Sequence, residues 1–382
     1  MEKRMNILTG TIKIREEYII GKVIKNDNAE NKKDYIQVLS KDNMDKPEIG
    51  YKAYVLECDS CNSNLDNYCL GVKDIDSLSN YDVIEIIKDL NIRVLYRDDS
   101  NDNYILVTNQ CNSNCIMCPD ADSVRNTKDI PSINVILDHI RAIPNDTSHI
   151  TITGGEPGLL KDDLIKIFAE CKKYLPNTEF LLLSNGRIFS NTEFVDKFKS
   201  VVPKYTRVGI PLYADEPELH DSITRADNSF KQAVCGIKKL LNRGIDVEIR
   251  IVVQKLNYKI LDKIARFICN EIPTITMVNI MSLEMCGNAI INKNQIWVDY
   301  EDIKEPVYKA CLELIKHGII VNLYNFPLCA LDERVYAFAV KSISDYKVRY
   351  REECSGCTLK KECGGLFNST INLKEARIKP VK

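Results

Sequence analysis

Three cysteines lie close together in the sequence, at Cys111, Cys115 and Cys118. Thiolates separated by three and then two residues on one loop can bind three irons of a cubane [4Fe–4S] cluster, which normally takes four cysteines. The fourth iron then stays open to an exogenous ligand, as in a catalytic metal site. A zinc ion or metal-free thiols are the alternatives, but zinc needs a fourth ligand, and residues 119–138 contain neither cysteine nor histidine. The spacing therefore favours an open iron–sulfur site.

A second group of cysteines follows later in the chain. Cys354, Cys357 and Cys363 fall within ten residues, and Cys329 precedes them. Four thiolates can close a second [4Fe–4S] cluster or bind a structural zinc ion, and the sequence leaves both alternatives open. A closed cluster would indicate electron transfer or support of the fold.

Glycines and a carboxylate follow a predicted strand in the segment Gly154-Gly155-Glu156-Pro157. Paired glycines let the backbone approach a ligand closely, and the carboxylate of Glu156 can accept a hydrogen bond from an ammonium group. The alternative is an ordinary turn of glycine and proline.

Ser184, Asn185, Arg250 and Gln254 are further candidates for ligand binding. Ser184 and Asn185 end a predicted strand and suit polar contacts, although Asn185 followed by glycine is also a common turn. Arg250 can form a bidentate contact with a carboxylate, and the alternative is a side chain that faces solvent from an alternating strand. Gln254 lies at the end of the same strand.

The remaining cysteines have less distinctive surroundings. Cys58, Cys61 and Cys69 could form a third metal site, but the lack of a fourth ligand nearby in the sequence favours unpaired thiols. Four cysteines in apolar helical segments are expected to be buried, namely Cys171, Cys235, Cys269 and Cys311. Cys286 is closer to the expected mouth of the site, and Tyr213 either lines a cavity or packs as an ordinary aromatic residue.

Short apolar strands alternate with amphipathic helical segments from Tyr104 onward, which predicts parallel βα units with right-handed crossovers. Periodicity alone allows an open doubly wound sheet or a partial barrel. The predicted strands are residues 104–108, 149–153, 179–184, 207–211, 247–253, 276–281 and 319–324. The predicted helices are residues 160–174, 192–201, 229–242, 260–272 and 300–317. Residues 1–100 predict a small, mostly β domain, residues 101–325 the core, and residues 326–382 a cysteine-rich extension.

The cysteine loop, placed after the first strand of a βα region, resembles the signature of the radical S-adenosylmethionine (SAM) superfamily. This resemblance implies an α/β fold with a partial (β/α)6 TIM-like barrel, whose site lies at the C-terminal ends of the strands. It also implies that the open iron chelates SAM and that the reduced cluster cleaves SAM to a 5′-deoxyadenosyl radical. Residues 154–157 would then hold the SAM amino group and residues 184–185 would approach its ribose and methionine. Arg250, with Gln254 as a further candidate, could bind its carboxylate.

Residues 108–115, 282–285, 324–329, 342–346 and 363–367 extend the likeness to the His-Xaa-Ser system radical SAM maturases, in their HxsC branch. The C-terminal cysteines resemble the twitch or shortened SPASM extensions of peptide-modifying members, which carry an auxiliary cluster. The likeness implies a ribosomally made peptide substrate and a one-electron reductant such as flavodoxin or ferredoxin, and it allows a second maturase subunit.

Two other functions remain open: a radical SAM enzyme acting on a nucleotide, RNA or small metabolite, and a non-catalytic iron–sulfur or zinc scaffold or electron carrier. A net charge of −2, with the two signs well mixed, gives no electrostatic reason to expect a nucleic-acid partner. The sequence contains neither an apolar run of the about 20 residues that a membrane span needs nor a signal-peptide pattern. The expected location is therefore the cytoplasm, without a membrane partner.

Overall fold

The computed structural model describes residues 6–25, 29–41, 47–60, 65–120, 131–341 and 347–382. Cys61 and the segment 342–346, which two of the sequence predictions involve, lie outside the described residues. The described residues form two large sheets and a small C-terminal hairpin.

The N-terminal sheet contains the strands β1 (Ile7–Leu8), β2 (Thr11–Lys13), β3 (Tyr18–Ile24), β4 (Tyr35–Leu39), β5 (Ala53–Leu56), β6 (Tyr68–Leu70), β7 (Val83–Ile87) and β8 (Ile92–Tyr96). Their order in the sheet is β1-β8-β7-β3-β4-β5-β6-β2. The outermost strands β1 and β2 are separated in the chain by only Thr9 and Gly10, so the sheet must curl back on itself. Gly10 suits this corner, because a Cβ there would lie 2.6 Å from the Leu70 carbonyl oxygen. The predicted, mostly β character of the N-terminal region is confirmed.

The second sheet contains β9 (Tyr104–Thr108), β10 (His149–Gly154), β11 (Glu179–Leu183), β12 (Thr206–Pro211), β13 (Asp246–Val252), β14 (Met277–Met281), β15 (Ile320–Tyr324) and β16 (Ala339–Val340). All pairings are parallel, and each strand lies beside the next one in the chain. Among the described strands, β9 and β16 have a neighbour on one side only, so the barrel is open between them. The predicted α/β partial barrel is confirmed, and β15 and β16 extend it beyond six strands.

The helices that connect these strands are α1 (Ile133–Ala142), α2 (Asp162–Tyr174), α3 (Thr192–Val201), α4 (Pro217–Thr224), α5 (Ser229–Leu241), α6 (Leu261–Glu271), α7 (Asn288–Ile291), α8 (Lys293–Ile296) and α9 (Tyr300–Lys316). The predicted helices lie within two residues of the observed bounds, whereas α1, α4, α7 and α8 were not predicted. In the described part of the chain, every helix is too short or too polar to cross a membrane.

Alternate residues of each parallel strand face either the surrounding helices or the interior of the barrel. On β13, Val247, Ile249 and Ile251 are buried in the main apolar core beneath the helices. Glu248 and Arg250 therefore face the interior. The same core buries Cys171, Cys269 and Cys311 as expected, while Cys235 in α5 is only partly buried.

The N-terminal sheet packs directly against the barrel. Ile20 and Val83 belong to the main apolar core of the barrel. The Tyr18 hydroxyl donates a hydrogen bond of 2.9 Å to Asp138 Oδ2 on α1. A shared core of this kind holds the two sheets in a fixed relation through apolar burial. A small hairpin of β17 (Val348–Arg349) and β18 (Leu366–Phe367) lies in the C-terminal segment.

Candidate active site

The three-cysteine loop begins directly after β9 and is fixed by the C-terminal end of α4. The backbone N–H of Asn114 donates to the Thr224 carbonyl at 3.0 Å, and that of Ile116 donates to the Ile223 carbonyl at 2.9 Å. One rigid element therefore orients the segment that carries all three cysteines.

The short helix α7 supports the same loop from a second direction. Asn288 Nδ2 donates to the Cys115 carbonyl at 3.1 Å, and Asn292 Nδ2 donates to the Ile116 carbonyl at 2.9 Å. Gly287 precedes the helix with φ of +52°, and a Cβ there would lie 2.1 Å from a carbonyl oxygen of the loop. Sequence reasoning missed this support, although a glycine followed by two asparagines four residues apart is a visible turn-and-helix signal.

Tyr213 joins the cysteine loop to the inner wall of the barrel. It lies just after β12 and packs in a small apolar cluster with Cys115 and Ile116. Burial first, and then the negative charge of the Cys115 and Cys118 thiols, raise the pKa of its hydroxyl well above the ordinary value, while Arg250 opposes the shift. The hydroxyl therefore lies within electrostatic reach of both the thiols and Arg250.

Gly154 and Gly155 allow β10 to pass directly beside the start of the cysteine loop. A Cβ on Gly154 would lie 2.3 Å from the Thr108 carbonyl oxygen, and one on Gly155 would lie 2.4 Å from that of Gln110. The Gly155 N–H donates to the Thr108 carbonyl at 2.8 Å. The close backbone approach expected from the sequence is thus made to the chain itself, and a side chain here would displace the loop.

The carboxylate of Glu156 is buried and ties two strand ends together. Its Oε1 accepts hydrogen bonds from the Gly158 N–H and the Ser184 hydroxyl, both at 2.7 Å. Its Oε2 accepts from the Asn185 N–H at 2.6 Å. Burial raises the pKa of this carboxyl, and the three hydrogen bonds oppose the shift. A carboxylate offers about four lone-pair positions, so about one remains for a ligand.

Asn185 and Arg187 contact the cysteine loop from the end of β11. Asn185 Nδ2 donates to Asn112 Oδ1 at 2.7 Å, and Arg187 Nη1 donates to the Asn112 carbonyl at 2.8 Å. Arg187 also binds Gln232 Oε1 through its Nε at 2.6 Å. The structure therefore brings the predicted segments 111–118, 154–157 and 184–185 together. Arg187 was not predicted.

Arg250 lies on the inner wall of the barrel rather than in solvent. Its Nη1 donates to Glu248 Oε1 at 2.7 Å on the same strand. Gly209 on β12 makes room for this pair, because a Cβ there would lie 3.2 Å from Arg250 Cδ and 3.2 Å from Glu248 Oε1. Guanidinium has five N–H donors, so most of them remain available for a ligand.

The polar wall continues onto β14 and β15, where sequence reasoning identified no candidates. Asn322 Nδ2 donates to Asn279 Oδ1 at 2.9 Å, between residues that are direct partners in the sheet. Burial raises the pKa of the nearby Tyr324 hydroxyl, with a smaller contribution from Glu248 that Arg250 opposes. The sequence signal for these residues is that single polar residues occupy alternate positions in otherwise apolar strands.

A sequence model of the radical SAM superfamily matches residues 105–268. This span contains the cysteine loop, the glycine pair, Glu156 and Arg250. The chain contains a radical SAM domain. The protein is therefore an enzyme that uses SAM, and the domain implies a [4Fe–4S] cluster as its partner cofactor.

Two similar proteins carry the name Probable GTP 3′,8-cyclase. The protein from Saccharolobus islandicus is 25% identical over 245 residues, which cover 60% of this chain and 77% of the relative. The protein from Sulfurisphaera tokodaii is 26% identical over 169 residues, which cover 43% of this chain and 50% of the relative.

Among solved structures, that of Streptococcus suis SuiB bound to the precursor peptide SuiA is similar in fold. The identity is 15%, the TM-score is 0.46, and the match covers 58% of this chain and 47% of that chain. The matched region thus spans about half the length of that structure.

Buried polar atoms beside the radical SAM site are compatible with a bound ligand. Gln254 is fully buried, and within the described residues neither its Oε1 nor its Nε2 has a hydrogen-bond partner. The indole Nε1 of Trp297 is buried and unpartnered in the same part of the chain, and its ring packs in the cluster that contains Cys115. A buried polar group without a hydrogen-bond partner costs about 1–3 kcal/mol. A bound SAM molecule has both donors and acceptors, so it would supply partners and recover this cost. The three thiolates are suitable ligands for a cluster, so these residues fit both cofactors.

The four C-terminal cysteines come together around one cavity, which Cys329, Cys354, Cys357 and Cys363 all line. The sulfur of Cys363 accepts hydrogen bonds from the Leu328 N–H at 3.2 Å and the Gly365 N–H at 3.3 Å. Burial raises the pKa of the Cys329 thiol, and a backbone N–H opposes the shift. The cavity is thus a set of four thiols with backbone donors that stabilise negative sulfur.

The side chain of Arg351 binds three carbonyl groups of the C-terminal tail near this cavity. The guanidinium of Arg351 donates to the carbonyls of Leu373, Ile371 and Ala376 at 2.6, 2.7 and 2.8 Å. The tail residue Val381 lines the same cavity. The tail therefore closes one side of the four-cysteine site.

The N-terminal cysteines remain unassigned. Cys69 is fully buried, which raises the pKa of its thiol to about 12, and the Cys58 thiol donates to the Ser60 carbonyl at 2.7 Å. Cys286 is half-buried, and burial raises its pKa to about 12. In the residues that the structure describes, no three cysteine, histidine or acidic side chains form a group able to hold a single metal ion.

Proposed function

We propose that the protein is a peptide-modifying radical SAM enzyme with two [4Fe–4S] clusters. Cys111, Cys115 and Cys118 hold the first, and the four C-terminal cysteines hold the second. The convergence of four thiols on one cavity carries this proposal. A cluster whose four ligands all come from the chain keeps no iron open for substrate, so it suits electron transfer during an oxidative modification.

The residues of the chain would hold and orient SAM around the first cluster. When bound, this cluster supplies the electron that cleaves SAM to a 5′-deoxyadenosyl radical. The remaining donors of Arg250 suit the SAM carboxylate, and the remaining acceptor position of Glu156 suits its ammonium group. The unmet amide of Gln254 offers one further donor and acceptor.

The charge of the inner wall favours a peptide over a nucleoside triphosphate. The described strands β9–β16 contain two arginines, Arg207 and Arg250, and no lysine. Arg250 is already paired with Glu248. A triphosphate in a water-poor interior needs several cations, because an uncompensated charge is costly to bury. A peptide backbone is neutral and needs hydrogen-bond partners, such as the amides of Asn279 and Asn322.

A nucleotide is the second candidate substrate. The similarity to proteins named Probable GTP 3′,8-cyclase, at 25% identity over 245 residues, is the observation that favours it.

Metal analysis of anaerobically reconstituted protein tests the two-cluster proposal. We expect about eight irons and eight sulfides per chain, on the four-iron count of each cluster, together with 5′-deoxyadenosine release after addition of SAM and dithionite. About four irons together with one zinc ion would contradict the second cluster and leave the first intact.

Competition between substrate classes tests the peptide assignment. The reduced enzyme is incubated with SAM and either GTP or a library of ribosomally made peptides, and the products are analysed by mass spectrometry. A mass change in peptides with unchanged GTP supports the proposal. Conversion of GTP contradicts it and assigns the second candidate.

A further inference from the structure

We propose that the hydroxyl of Tyr213 donates a hydrogen bond to a sulfur of the first cluster and thereby raises the reduction potential of that cluster. The inference rests on the proposed function, because it needs a cluster bound by Cys111, Cys115 and Cys118. It is independent of the substrate. The sequence alone left Tyr213 either as a residue that lines a cavity or as an ordinary packing residue.

Tyr213 faces the interior of the barrel, just beyond the C-terminal end of β12. Ile210 and Leu212 are buried in the main apolar core beneath the helices. The Leu212 N–H donates to the Arg250 carbonyl at 3.0 Å, so the extended pairing with β13 continues past the end of β12. Because side chains alternate along an extended segment, the Tyr213 ring lies on the opposite, interior side. Pro211 is the direct partner of Arg250, so Tyr213 lies one step closer to the mouth of the barrel.

The Tyr213 ring is held by the helix that also holds the cysteine loop. The Tyr213 N–H donates to His220 Nδ1 at 3.2 Å, and the Tyr213 carbonyl accepts from Asn257 Nδ2 at 3.2 Å. The ring stacks on the His220 ring with the two centroids 5.5 Å apart. His220 belongs to α4, whose C-terminal end bonds the backbone of the cysteine loop. One helix therefore sets the position of the ring relative to the loop.

The hydroxyl of Tyr213 lies in the field of the three thiols and of Arg250. The ring packs in the apolar cluster that contains Cys115. Burial is the main reason that the pKa of the hydroxyl is raised, the Cys115, Cys118 and Cys111 thiols add to the rise, and Arg250 opposes it. The hydroxyl therefore stays protonated and can act as a donor. The described hydrogen bonds of Tyr213 involve only its backbone, which leaves this proton for the cluster.

A donor at this position would act on the reduced state of the cluster. Reduction adds one electron, and the added negative charge is shared by the sulfurs. A hydrogen bond to a sulfur stabilises this charge, so it favours the reduced state and raises the potential. The Ser113 N–H, at 3.4 Å from the Cys111 sulfur, is a backbone donor on the same loop. The Tyr213 hydroxyl would add a side-chain donor, which a single substitution can remove.

Redox titration of Tyr213→Phe tests the hydrogen bond, because this substitution removes only the hydroxyl. Anaerobically reconstituted protein is titrated with dithionite while EPR follows each reduced cluster. The signal that changes on addition of SAM identifies the first cluster, since only that cluster has an open iron. We expect an equilibrium constant for reduction about tenfold lower, which is about 59 mV for a one-electron couple. Iron content and the potential of the second cluster should not change.

Pulsed ENDOR of the reduced first cluster in H₂O and in D₂O detects the hydroxyl proton itself. The wild-type protein should show an exchangeable proton that Tyr213→Phe lacks. Tyr96→Phe is the matched control. The Tyr96 hydroxyl is buried and bonds to Thr147 Oγ1 at 3.0 Å, before the start of β10 and at the end opposite the cysteine loop. This variant should keep the wild-type potentials and the wild-type ENDOR spectrum.

The possible outcomes separate this inference from the proposed function. A wild-type potential in Tyr213→Phe, or an exchangeable proton that persists in this variant, would overturn the hydrogen bond. A wild-type potential together with weaker SAM binding would overturn it too and would assign the hydroxyl to SAM. A wild-type protein that lacks any SAM-sensitive signal would contradict the first cluster itself, and this inference with it.

Discussion

The two cysteine sites differ in how the chain builds them. The first takes three thiols from eight consecutive residues on a single loop. The C-terminal site combines Cys329, which follows β15, with three cysteines from residues 354–363. The loop supplies three thiols, one fewer than a closed [4Fe–4S] cluster takes, whereas the C-terminal site supplies four. The first site is therefore suited to bind an exogenous molecule, and the second to enclose its cofactor.

The two cysteine sites can also be compared by the hydrogen bonds that support them. Side chains from distant elements, such as Asn288 and Asn185, fix the first loop by its backbone and its polar side chains. At the second site, two backbone N–H groups bond to the Cys363 sulfur, and at the first the Ser113 N–H bonds to the Cys111 sulfur at 3.4 Å. Backbone N–H donors thus lie beside a cysteine sulfur at both sites, where they stabilise negative charge on the sulfur.

Exchange of one cysteine at each site gives the largest expected effect. Cys115→Ala should lose about four irons and all SAM cleavage, and Cys357→Ala should lose about four irons while retaining SAM cleavage with dithionite. The measurements are iron content and 5′-deoxyadenosine release. Cys235→Ala, at a partly buried position outside both sites, is the matched control and should retain both clusters. Loss of SAM cleavage in Cys357→Ala with a full first cluster would contradict the division of roles.

Replacing one glycine by alanine at each site should show that the first site is more tightly packed than the second. In Gly155→Ala the new Cβ would lie 2.4 Å from a backbone oxygen at the start of the cysteine loop. We expect a loss of about 3 kcal/mol in the free energy of unfolding, because backbone cannot move aside easily in a packed region. Gly356→Ala lies between two cysteines of the second site, where nothing lies within 4 Å of a new Cβ. Chemical denaturation should therefore leave Gly356→Ala near wild type, and equal losses would contradict the packing difference.

The sequence predicted the features that are local in the chain. The cysteine loop is visible because its ligands are consecutive, and the barrel strands are visible because β-branched runs alternate with helical patterns. The supports of the loop are not local. Asn288 binds Asn114 across 174 positions, and Asn322 binds Asn279 across 43. Such pairs depend on strand register and helix placement, which composition and periodicity do not specify.

Glu156 illustrates a second limit of the sequence. Its position after two glycines predicted a contact with an ammonium group, but the structure uses most of its acceptor positions to join Ser184, Asn185 and Gly158. A residue type and its neighbours indicate what a side chain can bind. They do not indicate how many of its lone pairs the fold already occupies.

The Glu156 network gives an intermediate effect that is specific to the first site. Glu156→Gln replaces one acceptor oxygen by an amide N–H₂, which would face the donors that now bind the carboxylate. We expect a loss of about 2–3 kcal/mol in the free energy of unfolding and weaker SAM binding, because hydrogen bonds to charged groups are worth about 1.5–3 kcal/mol. Calorimetry of SAM binding and thermal unfolding measure the two effects. Glu353→Gln, a carboxylate change beside Cys354, is the matched control and should alter neither. Unchanged SAM affinity in Glu156→Gln would contradict a role in binding its ammonium group.

Substitution of a buried histidine beside the first site gives the smallest expected effect, which is on the pH dependence of stability. His220 accepts a hydrogen bond from the Tyr213 N–H at 3.2 Å, and burial lowers its pKa from 6.5 to about 4. The unfolded chain then binds a proton at a higher pH than the folded chain, so the contribution to stability is full above about pH 6.5 and decreases as the pH falls toward 4.

His220→Gln, which retains an acceptor, should remove about 2 kcal/mol of the stability difference between pH 7 and pH 5. Urea unfolding at both pH values measures it, with exposed His317→Gln as the control. The described residues that line the C-terminal cavity include no histidine, so no such contribution is expected from that site. Equal pH slopes for wild type and His220→Gln would show that His220 does not contribute.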